Sequence, residues 1–132
     1  MKDLLRKLKG LDLPKGEFAI FGGSVMEVHG LRKAHDLDII VTRSLWRKLV
    51  ERFPVGKFSD GSPGIFLENI EIMRGPGFGF DPEELVRSAE IINEIRFVRL
   101  EDLKEWKRRM GRKKDLKDIK LIEDYLEKNS RL

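Results

Sequence analysis

The chain has 132 residues, with 27 lysines and arginines against 23 aspartates and glutamates, two histidines and no cysteine. That is enough chain to bury about two-thirds of its unfolded surface, so a single domain over residues 1–132 is predicted. The composition excludes a disulfide framework, a thiolate metal site and a cysteine nucleophile, and it leaves His29 and His35 too few for a zinc site without carboxylates; no apolar run nears the roughly 20 residues of a membrane span.

The first stretch, MKDLLRKLKGLDL, is amphipathic and carries acids. It lacks the apolar h-region of a signal peptide, which predicts a cytoplasmic protein. Leu4, Leu5 and Leu8 recur at helical spacing and predict a helix over Lys2–Lys9 that stops at Gly10 and covers a sheet. Leu11–Gly16, with Pro14, is a connection, and Glu17–Phe21 is the first strand. Gly22 and Gly23 end it with residues that tolerate positive φ and let a ligand approach the backbone. Ser24 is the predicted N-cap of a helical stretch Val25–His29, with Glu27 placed as in a capping box. Such a turn points free N–H groups and the positive end of a helix at whatever lies in front, which suits a phosphate.

After a connection over Gly30–His35, Asp36–Val41 reads as a buried strand. Side chains alternate, so Asp36 and Asp38 share a face at roughly 6.6–7 Å along the strand. Leu37 and Ile39 take the other face. Two carboxylates so placed repel unless a cation sits between them, and all-oxygen ligation suits magnesium or manganese. Taken singly, Gly-Gly is a tight turn and Asp-x-Asp a solvated loop or cap. The order strand, Gly-Gly-Ser, short helix, turn, Asp-x-Asp strand is what favours a metal and phosphate site.

Thr42 or Ser44 caps a helix to about Phe53, with Leu45, Leu49 and Val50 inward and Pro54 ending it. From Val55 to Met73 the signals become strand-like, with Gly61-Ser62-Pro63-Gly64 as a turn. Ile65–Leu67 and Ile70–Met73 are either two strands joined at Glu68-Asn69 or one. Glu71, between two isoleucines, is costly to bury uncompensated. It either faces water on an edge strand or completes the metal site from a strand beside Asp38. Gly75–Phe80 reads as a turning loop, and Asp81-Pro82-Glu83-Glu84 as the start of a helix to about Ile92. Glu94–Leu100 is a last strand. Helices over Leu100–Met110 and about Lys114–Lys128 close the chain, the latter with Leu116, Ile119, Leu121, Ile122, Tyr125 and Leu126 apolar. The alternation of strands and helices predicts a layered arrangement. Charged residues make up 38% of the chain, against a typical share of about 25%. Together with the missing cysteine, that fits a heat-adapted source. The basic stretch Arg96–Lys117 suits an anionic ligand, a nucleotide or RNA, or else is a solvated face.

Phe21–Val41 in this order resembles the nucleotidyltransferase fold shared by polymerase-β-like enzymes, kanamycin nucleotidyltransferases and the small toxin- or abortive-infection-type nucleotidyltransferases. His29–Asp38 is similar to the segment in which a glycine and an arginine, here Gly30 and Arg32, lead into the two aspartates; many members have threonine at Ala34. Leu100–Ile119 resembles the family's closing element, a helix ending in lysine and then Gly-Arg-x-Lys-Asp-x-x-Asp. The family usually carries aspartate where Glu71 stands.

The fold this resemblance implies is α+β, a small mixed β-sheet flanked by helices with the C-terminal helices packed on the core. The activity it implies is Mg2+- or Mn2+-dependent transfer of a nucleoside monophosphate from a nucleoside triphosphate to a hydroxyl of RNA, a protein or a small molecule. Asp36, Asp38 and Glu71 would hold two metal ions about 3.5–4 Å apart, with Glu71 as a possible base. Gly22, Gly23 and Ser24 would cradle the β- and γ-phosphates. Lys107 and Arg112 would face the triphosphate, with Arg32, Asp115 and Asp118 in support. A non-catalytic nucleotide- or RNA-binding module of the same fold, for example a toxin–antitoxin component, is the alternative. Whether a homodimer or a partner protein completes the acceptor cleft stays open.

Overall fold

The computed structural model describes residues 2–130. Among them, seven strands form one mixed sheet in the order β3-β4-β5-β2-β1-β7-β6. Their bounds are β1 Phe18–Phe21, β2 Leu37–Val41, β3 Gly56–Lys57, β4 Pro63–Leu67, β5 Ile70–Met73, β6 Glu90–Ile92 and β7 Ile95–Phe97. The helices are α1 Lys2–Gly10, α2 Gly23–Val28, α3 Arg43–Arg52, α4 Pro82–Arg87, α5 Leu100–Met110 and α6 Lys113–Ser130. The class is therefore α+β.

The centre of the sheet follows from composition. Ile20, Leu37, Ile39, Ile40, Ile70 and Ile72 are fully buried, as strands covered on both faces require. β2 pairs antiparallel with β1 and parallel with β5, in a register that sets Phe21 opposite Asp38 and Asp38 opposite Glu71. β5 pairs antiparallel with β4, which sets Glu71 opposite Phe66. Cross-strand partners share a face, so Phe21, Asp38, Glu71 and Phe66 form a row across β1, β2, β5 and β4. Glu71 thus stands on an interior strand, and the edge-strand alternative does not hold.

Ile65–Leu67 and Ile70–Met73 belong to two strands. Asn69 adopts a φ of 61° between them, and Leu67 pairs with Ile70. α1 lays Leu8 into the core, with Leu4 and Leu5 packed against it. α5 and α6 pack on the core through Leu100, Leu103, Ile119 and Ile122. α5 stops at Gly111, a left-handed cap whose N–H donates to the Lys107 carbonyl, in the usual manner of a helix C-terminus.

Several local expectations need correction. Ser24 is not a cap: α2 starts at Gly23, its N-cap is Gly22, and the Ser24 hydroxyl donates to the Asp36 carbonyl at 3.0 Å. With Gly22 as the cap, Glu27 lies beyond the third helical position of a capping box, and its carboxylate accepts from the Ala34 N–H at 2.7 Å. The helix expected to reach Ile92 ends at Arg87. β-branched Ile91 and Ile92 instead form β6, and Asn93 and Glu94, with φ of 50° and 69°, make a two-residue turn into β7, the positive-φ pair that such hairpins need. β7 is correspondingly short, since Leu100 already opens α5.

The turn expected at Gly61–Gly64 is displaced toward the N-terminus. Asp60 accepts from the Ser62 N–H and hydroxyl at 2.9 and 2.6 Å, which frees Pro63 and Gly64 to begin β4. Thr42, not Ser44, caps α3, accepting from the Leu45 N–H at 3.2 Å. Val50, expected inward, is exposed, as are the apolar Leu116 and Leu121 of α6.

Candidate functional site

The row of carboxylates opens onto a cleft of about 430 Å3 whose lining includes Gly22, Gly23, Arg32, Asp38, Phe58, Glu71, Trp106, Lys107, Arg112 and Asp118. Strand register brings Asp38 and Glu71 together from two parallel strands 33 residues apart in sequence, by their numbers. Burial, then the charge and hydrogen bond of Glu71 and the charge of Asp36, push the Asp38 carboxyl up to about 7, with Lys107 pulling the other way. Like charges crowded in a partly dry site behave in this way.

Gly22 is bound to this pair by sterics. Its φ is 69°, and a Cβ there would lie 2.7 Å from the Asp38 Oδ2. A Cβ at Gly23 would press on the Arg32 guanidinium and Ala34. The Gly-Gly turn therefore brings bare backbone against the carboxylates, as expected of residues that allow a close approach.

The opposite wall is cationic, and Arg32, Lys107 and Arg112 on it are paired with carboxylates. Arg32 donates through Nε and Nη2 to the two oxygens of Asp118 at 2.8 and 2.9 Å. Lys107, 4% exposed, sets its Nζ 2.9 Å from Asp118 and 3.5 Å from Asp115. Arg112 grips Asp115 through Nε at 2.6 Å and Nη2 at 3.2 Å, and its backbone N–H donates to the same carboxylate at 3.1 Å. Burial works to raise the Asp115 and Asp118 carboxyls, but hydrogen bonds and charge from Arg112, Arg32 and Lys107 outweigh it and hold both below the usual carboxylate range. The hydrogen bond to Asp118 in turn raises the Arg32 guanidinium, against the opposing effect of its burial. Three cations face two carboxylates, so the wall carries a net positive charge.

Trp106 braces this wall. Its ring meets Phe21 edge-on with centroids 5.0 Å apart, its indole N–H donates to the Pro76 carbonyl at 2.9 Å, and Lys107 and Arg112 lie 5.9 and 5.8 Å from its centre, within cation–π range.

Of the residues singled out from sequence, Gly22, Gly23, Arg32, Asp38, Glu71, Lys107, Arg112 and Asp118 meet at the cleft. Asp115 is fully buried behind it as the partner of Arg112 and Lys107. Asp36 is exposed just ahead of β2 and outside the lining, although its charge still reaches Asp38. Ser24 is buried and turned away toward the Asp36 backbone. Trp106 and Phe58 escaped the sequence reading. Trp106 left one usable signal, a large ring beside a lysine late in an amphipathic helix; Phe58 left none.

Among the described residues, no group of three or more histidine, aspartate or glutamate side chains stands in a metal-holding arrangement. The donor chemistry nevertheless suits a hard divalent cation: Asp38 and Glu71 offer oxygen ligands only, and a cation between them would relieve their mutual repulsion. No helix among the described residues is long and apolar enough to cross a membrane. No protein-family model matches the chain, and no curated protein matches it.

Proposed function

We propose that the protein is a metal-dependent nucleotidyltransferase of the polymerase-β-like kind, moving a nucleoside monophosphate from a nucleoside triphosphate to a hydroxyl acceptor with release of pyrophosphate. The observation that carries this reading is the meeting of two opposite environments in one cleft: a like-charge carboxylate pair, Asp38 and Glu71, and a wall of paired cations, Lys107, Arg32 and Arg112. The order of motifs along the chain and the α+β sheet support the same fold family.

In this reading Lys107 and Arg112 hold the β- and γ-phosphates, and the bare backbone of Gly22 and Gly23 lets them approach. Asp38 and Glu71 would hold magnesium or manganese, with Asp36 nearby as a further oxygen donor; the cation would neutralise phosphate charge and acidify the acceptor hydroxyl. The acceptor oxygen attacks the α-phosphorus, the bond from that phosphorus to the bridging oxygen of the β-phosphate breaks, and the hydroxyl proton passes to the Glu71 carboxylate. The fixed cations then stabilise the charge that accumulates on departing pyrophosphate, and such positioning and electrostatics carry most of phosphoryl-type catalysis.

Incubation with each α-labelled nucleoside triphosphate, magnesium or manganese, and either total RNA or cell lysate tests the reading. Label should move to a macromolecule or small acceptor, and Asp38→Asn should lower the rate by at least on the order of a hundredfold. Label transfer that survives the substitution would remove the carboxylate pair from the mechanism.

A second reading rests on the exposed position of Asp36, outside the cleft lining. With only two of the three expected metal-holding carboxylates lining the cleft, the same fold could serve as a nucleotide- or RNA-binding module, for example in a toxin–antitoxin pair. Saturable nucleotide binding without transfer to any acceptor, and binding that tightens in Asp38→Asn, would favour it.

A further inference from the structure

The far wall of the cleft has a different chemistry. There the β3–β4 hairpin contributes Phe58, flanked by Ser59, Asp60 and Ser62. The Phe58 ring leans over Gly64, where a Cβ would come within 2.4 Å of it, and meets Phe66 edge-on with centroids 4.8 Å apart. Phe66 in turn covers Gly56, where a Cβ would lie 3.2 Å from its ring. Two rings thus occupy the space that two missing side chains leave, and one of them faces the cleft. Phe66 is also the cross-strand neighbour of Glu71, so the aromatic pair adjoins the carboxylates on the side away from Lys107.

The cleft therefore runs from cations through carboxylates to a flat apolar ring. A nucleoside triphosphate has the same sequence of chemistries: terminal phosphates, the reacting α-phosphate, then the base. Building on the proposed activity, we infer that Phe58 is the base-stacking residue of the donor site, and that the hairpin selects for a flat ring rather than for a particular base. Stacking is tolerant of sequence because every base has a π-face.

Most of the hydrogen bonds of the hairpin tip are made within it. The Phe58 N–H donates to the Ser62 carbonyl at 2.8 Å, the Gly61 N–H donates to the Phe58 carbonyl at 2.9 Å, and Asp60 accepts both the Ser62 N–H and hydroxyl. Hydrogen-bonding groups so engaged cannot read a base edge without breaking bonds already made.

Calorimetric titration of the full chain in magnesium with ATP, GTP, CTP, UTP and inorganic tripolyphosphate tests the assignment. Tripolyphosphate shares the anionic end of the ligand and lacks the ring. In the wild type, ATP should bind about tenfold or more tightly than tripolyphosphate, as one stacked base contributes, and the four triphosphates should lie within about tenfold of one another, purines ahead. Phe58→Ala should bring the ratio of ATP to tripolyphosphate affinity close to one, and Phe58→Tyr should preserve it. Phe58→Leu keeps apolar cover over Gly64 without a flat ring, so it should behave as Phe58→Ala even if the alanine variant folds poorly. A ratio unchanged in Phe58→Leu, or a preference of a hundredfold for one base, would overturn the assignment while leaving the proposed activity standing. Failure of the wild type to bind any triphosphate or tripolyphosphate would instead remove the proposed activity, and this inference with it.

Discussion

Two groups of charged side chains meet at the cleft, and they are built on opposite principles. Around Lys107, every charge has a partner of opposite sign: Arg32 and Lys107 on Asp118, Lys107 and Arg112 on Asp115. Around Asp38, the nearest charges are of its own sign, Glu71 and Asp36, with Lys107 the one opposing influence. The same residue type is driven in opposite directions, Asp115 and Asp118 down and Asp38 up to about 7. A compensated network fixes geometry. An uncompensated one is destabilising for the fold and is kept where a ligand completes it.

The difference should be greatest at Asp118. Asp118→Ala would leave buried Lys107 with only its longer 3.5 Å contact to Asp115 and take Arg32's carboxylate away, and breaking such a buried pair costs up to about 3–5 kcal/mol. Thermal unfolding should fall by ten degrees or more, with α6 loosening first in hydrogen exchange. The pH dependence has a defined sign. Because Asp118 and Asp115 titrate lower in the folded protein than unfolded, their stabilisation is present above the ordinary carboxylate pKa and is lost as pH falls through the depressed values. The wild type should lose its advantage over Asp118→Ala in acid. A melting temperature within two degrees of wild type at pH 7 would show that the network is dispensable.

Next in size is Gly22→Ala. A φ of 69° paired with a ψ of −144° is a conformation that residues with a Cβ rarely adopt, and here the new Cβ would also meet the Asp38 carboxylate. The combined cost should be about 2–3 kcal/mol, together with a loss of nucleotide binding, since the side chain would push Asp38 out of register with Glu71. Retention of full stability and binding would mean that the turn can relax away from the carboxylates.

Removing a charge from the other cluster should have the reverse sign. The folded-state pKa of Asp38 lies above its unfolded value, so the stability it contributes is present below the unfolded pKa and is lost as pH rises through about 7. Asp38→Asn abolishes that loss. Without added metal, the variant should match the wild type near pH 4 and exceed it by about 1–2 kcal/mol at pH 8. Magnesium should narrow the gap by stabilising only the wild type. A variant less stable than wild type at pH 8 would contradict the like-charge account.

The two clusters were not equally legible. Lys107, Arg112, Asp115 and Asp118 lie within twelve residues of one another by number, on a helix, its left-handed glycine cap and the next helix, so short-range geometry brings them together, and the resemblance of Leu100–Ile119 was what pointed to them. The strand carrying Asp38 was legible too, from its apolar run and alternation. The placement of Glu71 on a strand beside Asp38 stood only as one of two alternatives, because it depends on a parallel register between strands separated by a helix and a hairpin, and that register is set by core packing across the whole sheet. β6 was lost for a related reason: Ile91 and Ile92 continue a helical pattern in sequence, and only the turn at Asn93 and Glu94 redirects them. Phe58 was invisible because its role depends on what is missing at Gly64, a cross-strand neighbour of Gly56 rather than a neighbour in sequence.

Ser24 is the point where a local rule gave the wrong assignment, and it offers the smallest test. A serine after two glycines at a helix start reads as a cap or a phosphate ligand, yet its hydroxyl reaches twelve residues ahead to the Asp36 carbonyl. That bond ties α2 to the chain entering β2, and so helps hold the approach to Asp38. Ser24→Ala removes one largely buried hydrogen bond and leaves a carbonyl at an exposed residue, where water can replace the hydroxyl, so the cost should be about 1 kcal/mol or less. If Ser24 acts only through this link, nucleotide affinity should stay within about twofold of wild type while hydrogen exchange accelerates at Asp36 and Leu37. A tenfold loss of triphosphate affinity with unchanged exchange would return Ser24 to the phosphate site and place the turn, rather than the cationic wall alone, in contact with the ligand.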